Sequence, residues 1–93
     1  MSVWVMYIKL YAPWVHSLKE KRMIVRSLTA KVRNKFNVSV VEAMEQDKHQ
    51  IIVIGIAALA AHAAQAYSMQ DTIIHYLEQN TEAEIIEINK EIY

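Results

Sequence analysis

The chain has 93 residues, 54% of them apolar, with one glycine and one proline, so it is too rich in regular structure to be intrinsically disordered. It has no cysteine, which excludes a disulfide framework, a thiolate metal site and a cysteine nucleophile. No stretch approaches the ~20 apolar residues that span a bilayer. We expect a single domain over residues 1–93. The apolar start lacks a basic leader and is interrupted by Lys9, so we also expect a cytoplasmic protein with no membrane partner.

The net charge is zero, but the two parts of the chain carry opposite charges. Residues 1–36 contain eight cations and one acid, a balance of +7, and residues 37–93 contain two cations and nine acids, a balance of −7. Seven of the ten lysines and arginines lie between Lys19 and Lys35. This asymmetry indicates an anionic partner. The alternative is that the two parts neutralise each other in the fold.

The first two elements are a strand and a helix. Val3 to Tyr11 is β-branched and aromatic and nearly all apolar, which predicts a strand covered on both faces, and Pro13 closes it. Ser17 and Glu20 have the spacing of a capping box and open the helix. Asn37 is suited to the left-handed conformation that ends helices. The helix's predicted core face consists of Leu18, Ile24, Val25, Leu28, Val32 and Phe36.

The remaining elements are two strands of a hairpin, a helix and a last strand. Val38 to Met44 is a short strand, and Gln50 to Leu59 is an apolar one in which Gly55 predicts a bulge or a close backbone approach. The period from about Ala61 to Asn80 is helical, although its start carries no strong cap. Glu84 to Ile92 alternates and predicts an edge strand.

The order β-α-β-β-α-β predicts a ferredoxin-like α+β sandwich, a four-stranded antiparallel sheet with two helices on one face. In that topology the first and third strands are central. They are also the two most apolar strands, so the hydrophobic pattern and the topology agree.

Two sequence blocks connect the chain to a known family. SLKEKRMIVRSL, followed by RNKFNVSVVE and by Gln46-Asp47 of the hairpin, resembles the YlxP family of small bacterial proteins, a domain of unknown function (DUF503). The resemblance extends to about Ala57. It implies a ferredoxin-like fold and a loose association with translation, and it brings no catalytic residues. The chain departs from the family at Ala60-Ala61-His62, where a Ser-Asn-Asp-like turn is common.

The first helix carries a row of cations, the basic row, which consists of Lys19, Arg22, Arg26 and Arg33. On a helical wheel they fall within a sector of about 60°. Arginine holds phosphate by two-pronged contacts, and a line of cations suits a nucleic-acid backbone. Lys21, Lys31 and Lys35 widen the positive field. We predict that the row binds RNA or ribosomal phosphate. The alternative is a solvated face paired with acids of the fold.

The sheet face without helices is the second predicted surface. Both alternating sets of the central strands are apolar, so the pattern does not choose the outward set. One set contains Val5, Tyr7 and Val53, which we predict as an oligomer interface, with a symmetric dimer as the simplest assembly. The third strand has no aromatic residue, so base stacking on the sheet is disfavoured.

No catalytic constellation is recognisable, and we expect no enzymatic activity and no cofactor. Asp71, His75 and Glu78 share one helix face at metal-ligand spacing, but they lack a fourth ligand and read as a surface charge cluster. We therefore predict no metal. The favoured function is a non-catalytic accessory module that binds RNA through the first helix. The alternative is a homo-oligomeric structural protein assembled through the sheet.

Overall fold

The computed structural model describes residues 1–45 and 47–93, so Gln46, part of the sequence resemblance, lies outside the described residues. The elements follow the predicted order: β1 (Ser2–Tyr11), α1 (Leu18–Lys35), β2 (Ser39–Met44), β3 (Ile51–Ala60), α2 (Ala63–Asn80) and β4 (Glu84–Ile92).

The four strands form one antiparallel sheet in the order β2-β3-β1-β4. This confirms the ferredoxin-like fold, with β1 and β3 at the centre and β4 at an edge. Strands β1 and β3 pair over their full length, from Ser2 opposite Ala60 to Tyr11 opposite Ile51. The two most apolar strands are therefore central, where both of their backbone edges are hydrogen-bonded.

The core lies between the sheet and the helices. Every second residue of β1 points into it and is fully buried, and the facing residues of β3 do the same; the set is Trp4, Met6, Ile8, Leu10, Ile52, Ile54 and Ile56. The other set, with Val5, Tyr7 and Lys9, therefore faces away from the helices. Lys9 explains the choice, because a charged amine in the core would lack solvation. We call the sheet surface away from the helices the open face.

The N-cap of α1 is confirmed at Ser17, but only half of the predicted capping box forms, and the predicted end of the helix is wrong. The Glu20 carboxylate accepts from the Ser17 hydroxyl at 3.5 Å and, among the described residues, not from the Ser17 amide. The Ser17 hydroxyl accepts a hydrogen bond from the Glu20 amide at 3.1 Å. At the other end, Phe36 takes an extended conformation (φ −128°), and its amide donates to the Val32 carbonyl. Asn37 does not adopt a left-handed conformation. The turn into β2 is thus made by extending the chain at Phe36, whose partly buried ring packs edge-on against Tyr76.

Helix α2 begins with a cap that the sequence pattern missed. His62 is the N-cap, and its Nδ1 accepts a hydrogen bond from the Gln65 amide at 3.2 Å. The Gln65 side chain accepts in turn from the Ala61 amide. The pair reproduces the reciprocal logic of a capping box with an imidazole in place of a hydroxyl. The helix therefore starts at Ala63, two residues later than the periodicity predicts.

Gly55 marks a close approach, not a bulge. It lies opposite Tyr7 in an unbroken stretch of the β1–β3 register, and a Cβ at this position would meet the Ala43 Cβ at 3.3 Å and the Tyr7 ring at 3.6 Å. The register shifts occur on the edge strands, where Ala43 in β2 and Ile86 in β4 have no partner residue. Glu42 lies on the helix side of the sheet, two residues after buried Val40 and opposite Ile54. The bulge at Ala43 follows it and places Met44 opposite Val53 on the open face.

Candidate nucleic-acid interface

The basic row lies on the outer flank of α1, and all four of its residues are inside the helix and exposed. The Arg33 guanidinium donates to the Val40 carbonyl of edge strand β2 at 3.1 Å, which places this flank beside the β2 edge. The opposite flank faces α2, because the Lys31 ammonium donates to the Asn80 carbonyl at 3.2 Å. The row thus runs along an outer border of the helix layer, spanning about 21 Å from Lys19 to Arg33 at 1.5 Å per residue.

Within the described residues, Lys19, Arg22 and Arg26 have no ion pair and donate no side-chain hydrogen bond to the protein. No carboxylate of residues 1–45 and 47–93 lies within ion-pair distance of these three cations. Arg33 differs, because one of its amino groups is already used by the Val40 carbonyl. Among the described residues, three cations of the row thus have no protein partner, and the fourth, Arg33, uses part of its guanidinium to attach β2 to α1.

Lys21 corrects the sequence interpretation, in which it widens the surface field. Its side chain is buried, with 1% of the residue exposed. The ammonium donates to the carbonyls of Glu45 and Lys48 at 2.5 and 2.6 Å and lies 3.3 Å from the Glu42 carboxylate. Glu45 has a left-handed backbone (φ 62°), which helps turn its carbonyl toward α1. Lys21 is a structural clamp between the helix and the β2–β3 hairpin.

Three acids lie on β4, the sheet edge far from the basic row. Glu84, Glu87 and Glu91 of β4 lie opposite Tyr11, Lys9 and Val5, so all three carboxylates are on the open face. The phenol of Tyr93 donates a hydrogen bond to Glu91, and this bond together with the carboxylate charge raises the pKa of Tyr93. The basic row on the helix layer beside β2 is therefore separated in space from these three carboxylates, which lie on the open face along β4.

The predicted interface residues Val5, Tyr7 and Val53 all lie on the open face. Val5 and Tyr7 are half-buried, and Val53 is only 2% exposed. A partner on this face would therefore contact mainly the more exposed side chains around Val53. The exposed apolar side chains of the face include Val41 and Leu59, each 60% exposed, and Met44 opposite Val53. The face thus has an apolar centre and an acidic border along β4.

The predicted charge cluster on α2 divides between two partners. Asp71 lies 3.5 Å from the Lys90 ammonium of β4, and His75 lies 3.9 Å from Glu78 within the helix. Residues 1–45 and 47–93 contain no group of three side chains that would hold a metal ion. Neither helix of the described chain is long and apolar enough to cross a membrane.

An open cleft of about 490 Å³ lies between α1 and the end of α2, on the opposite flank of α1 from the basic row. Trp14 from the β1–α1 loop lines it, together with Ser27 and Lys31 of α1 and Gln79 and Glu82 at the end of α2. Sequence reasoning missed this cleft. A tryptophan next to Pro13 and outside any periodic apolar pattern was the available signal.

Residues 3–90 match the model of a family described as "Protein of unknown function (DUF503)". The chain belongs to the DUF503 family. A Bacillus subtilis (strain 168) relative named "Uncharacterized protein YlxP" is 35% identical over 68 residues, which is 73% of this chain and 74% of the relative. The DUF503 match extends past Ala57 through α2 and β4, so the departure at Ala60-Ala61-His62 lies inside the family match. In this DUF503 protein, two lysines of the sequence block that carries the resemblance have different roles: Lys19 is exposed, and Lys21 is the buried clamp.

Proposed function

We propose that this DUF503 protein is a non-catalytic accessory module that binds RNA or ribosomal phosphate through α1. The observation that carries the proposal is that Lys19, Arg22 and Arg26 are exposed on one flank without a protein partner among the described residues. Cations that the fold leaves uncompensated attract phosphate and gain entropy when counterions are released. Two of the three are arginines, which bind phosphate with two donors.

The fold also supports the row as a rigid platform. The Ser17 N-cap fixes the start of α1, and the Lys21 clamp attaches the helix to the β2–β3 hairpin. Arg33 joins the same helix to edge strand β2. A line of cations on a helix that is capped at its start and attached to the β2–β3 hairpin loses little backbone entropy when it binds, which favours affinity.

The test is a salt titration of binding to single-stranded RNA and to ribosomal subunits. Changing Lys19, Arg22 and Arg26 together to alanine should abolish binding near physiological salt. Each single change should make the negative slope of log K against log salt concentration shallower by about 0.7 on single-stranded RNA. The matched control is Lys90→Ala, which removes one cation at the opposite edge of the sheet, where it neighbours Asp71. Absence of measurable binding by the unaltered chain at about 100 mM salt overturns the proposal.

A second candidate function is homo-oligomerisation through the open face. Its exposed apolar side chains, Val41, Met44 and Leu59, are the specific observation in its favour. Four strands about 4.8 Å apart and about 3.3 Å per residue present roughly 600 Å², which approaches the ~800 Å² per partner of a standard interface. Light scattering after size exclusion tests it. We expect a dimer that Leu59→Glu dissociates and that charge reversal of the basic row leaves intact; a monomer at all concentrations overturns it.

A further inference from the structure

The cleft beside Trp14 has the composition of a site for a flat, polar ring. Trp14 is 42% exposed, whereas the other tryptophan, Trp4, is fully buried. The cleft's volume of about 490 Å³ is within the usual range of small-ligand sites. Exposed tryptophan beside an open cavity offers a stacking surface that the packing of the core does not require.

Hydrogen-bonding groups line the same cleft as the Trp14 ring. The Ser27 hydroxyl, the Gln79 amide and the Glu82 carboxylate line the cleft, and within the described residues none of the three side chains has a hydrogen-bond partner. Together they supply donors and acceptors for the edge of a nucleobase. The Glu82 carboxylate and the Lys31 ammonium both line the cleft and offset each other's charge, so the cleft attracts phosphate less than the basic row does, and the anionic part of a ligand would lie on the row.

The basic row supplies that second location. Arg26 belongs to the row and the next residue, Ser27, lines the cleft, so the phosphate-binding flank and the Trp14 cleft lie about 100° apart around α1. A nucleotide lying across α1 would place its phosphate near Arg26 and its base near Trp14. Proteins that bind single strands combine these two elements, cations along the backbone and aromatic rings under the bases.

We propose that the Trp14 cleft binds an unpaired base of single-stranded RNA whose phosphates lie on Lys19, Arg22 and Arg26. The inference rests on the proposed function and deepens it, because it predicts that the protein prefers single-stranded RNA to duplex RNA. A duplex would keep its bases stacked and out of reach of the cleft.

The experiment measures the affinity of Trp14→Ala and Trp14→Tyr for a single-stranded RNA oligonucleotide over a range of salt. We expect Trp14→Ala to weaken binding about 10-fold at every salt concentration with an unchanged salt slope, and Trp14→Tyr to restore most of the loss. RNA should also quench the fluorescence of Trp14 in the unaltered chain, against the constant signal of buried Trp4. Thermal melting of each variant checks that the fold is kept.

The outcomes separate the two proposals. If Trp14→Ala binds as tightly as the unaltered chain, or if duplex RNA binds as well as single strands, the base site is overturned while the basic row stands. If Glu82→Gln tightens binding and steepens its salt dependence, phosphate occupies the cleft and the base site is overturned. If the unaltered chain binds no RNA, the proposed function and the base site fail together.

Discussion

Replacing Lys21 with methionine removes the ammonium group and keeps an unbranched apolar stem, so it tests the clamp between α1 and the hairpin. Three acceptors lose their cation: the carbonyls of Glu45 and Lys48 and the carboxylate of Glu42. Leaving partners of a buried charge unsatisfied costs about 3–5 kcal/mol. The Glu42 side chain keeps 21% exposure, so water compensates part of the loss, and we take the lower end, about 3 kcal/mol.

That magnitude is large against a total stability of about 5–15 kcal/mol. The unfolding entropy of a chain of this length is about 0.2 kcal/mol/K, so the expected fall in Tm is about 15 °C. Urea denaturation followed by circular dichroism gives the free energy of unfolding independently of Tm. Because the clamp holds the hairpin, hydrogen exchange should also rise first in β2 and the start of β3.

The matched control is Lys31→Met, which removes a lysine of the same helix. Its ammonium makes one exposed hydrogen bond, to the Asn80 carbonyl, so its Tm should change by only a small part of the Lys21 effect. The double variant Lys21→Met, Glu42→Gln should lose less stability than the two single changes added together, since they act on one ion pair. Equal Tm changes for Lys21→Met and Lys31→Met would refute the clamp.

Three further predictions concern other side chains. Gln70 is fully buried and neither polar atom of its side chain has a partner among the described residues, so Gln70→Met should stabilise the fold by about 1–2 kcal/mol, and a lower Tm would contradict this. His62→Ala should lower the free energy of unfolding in urea by about 1 kcal/mol. His62→Asn should lose much less, because asparagine, unlike alanine, offers an acceptor for the Gln65 amide. The pKa of Tyr93 should lie above the ordinary range of tyrosine in an ultraviolet absorbance titration. Glu91→Gln should lower the pKa of Tyr93, because the change removes a charged hydrogen-bond acceptor that also repels the phenolate. An unchanged titration would show that the Tyr93–Glu91 contact is absent in solution.

The strand order and the identity of the central strands followed from the sequence because β1 and β3 are almost entirely apolar while β4 alternates. The outward face of the sheet did not follow. Both alternating sets are apolar, and hydropathy gives no preference between Val5 and Met6. Lys9 was the deciding residue, since its charge and its place opposite Glu87 fix one set on the open face. For the choice of the outward face, one charged residue in a central strand was more informative than the alternation of hydrophobic residues.

The clamp at Lys21 was beyond sequence reasoning for a different reason. Wheel geometry places Lys21 on the same side of α1 as Val25 and Leu28, but lysines are usually assigned to solvent. Its burial depends on the bulge at Ala43 and the left-handed backbone at Glu45, which bring acceptors to the helix from 24 and 27 residues away in sequence. Neither feature has a signature in the local pattern, because both arise from the pairing of β2 with β3.

The separation of charge limits how RNA would approach this fold. RNA-recognition modules with the same topology stack bases on the open face of the sheet. Here Glu84, Glu87 and Glu91 lie along that face beside β1, so phosphates near it would be repelled. The cations and the exposed tryptophan both lie on the helix layer, on the two flanks of α1. If the proposed function is correct, the placement of the charges gives this selectivity, because the carboxylates along β4 disfavour RNA on the open face while α1 attracts it.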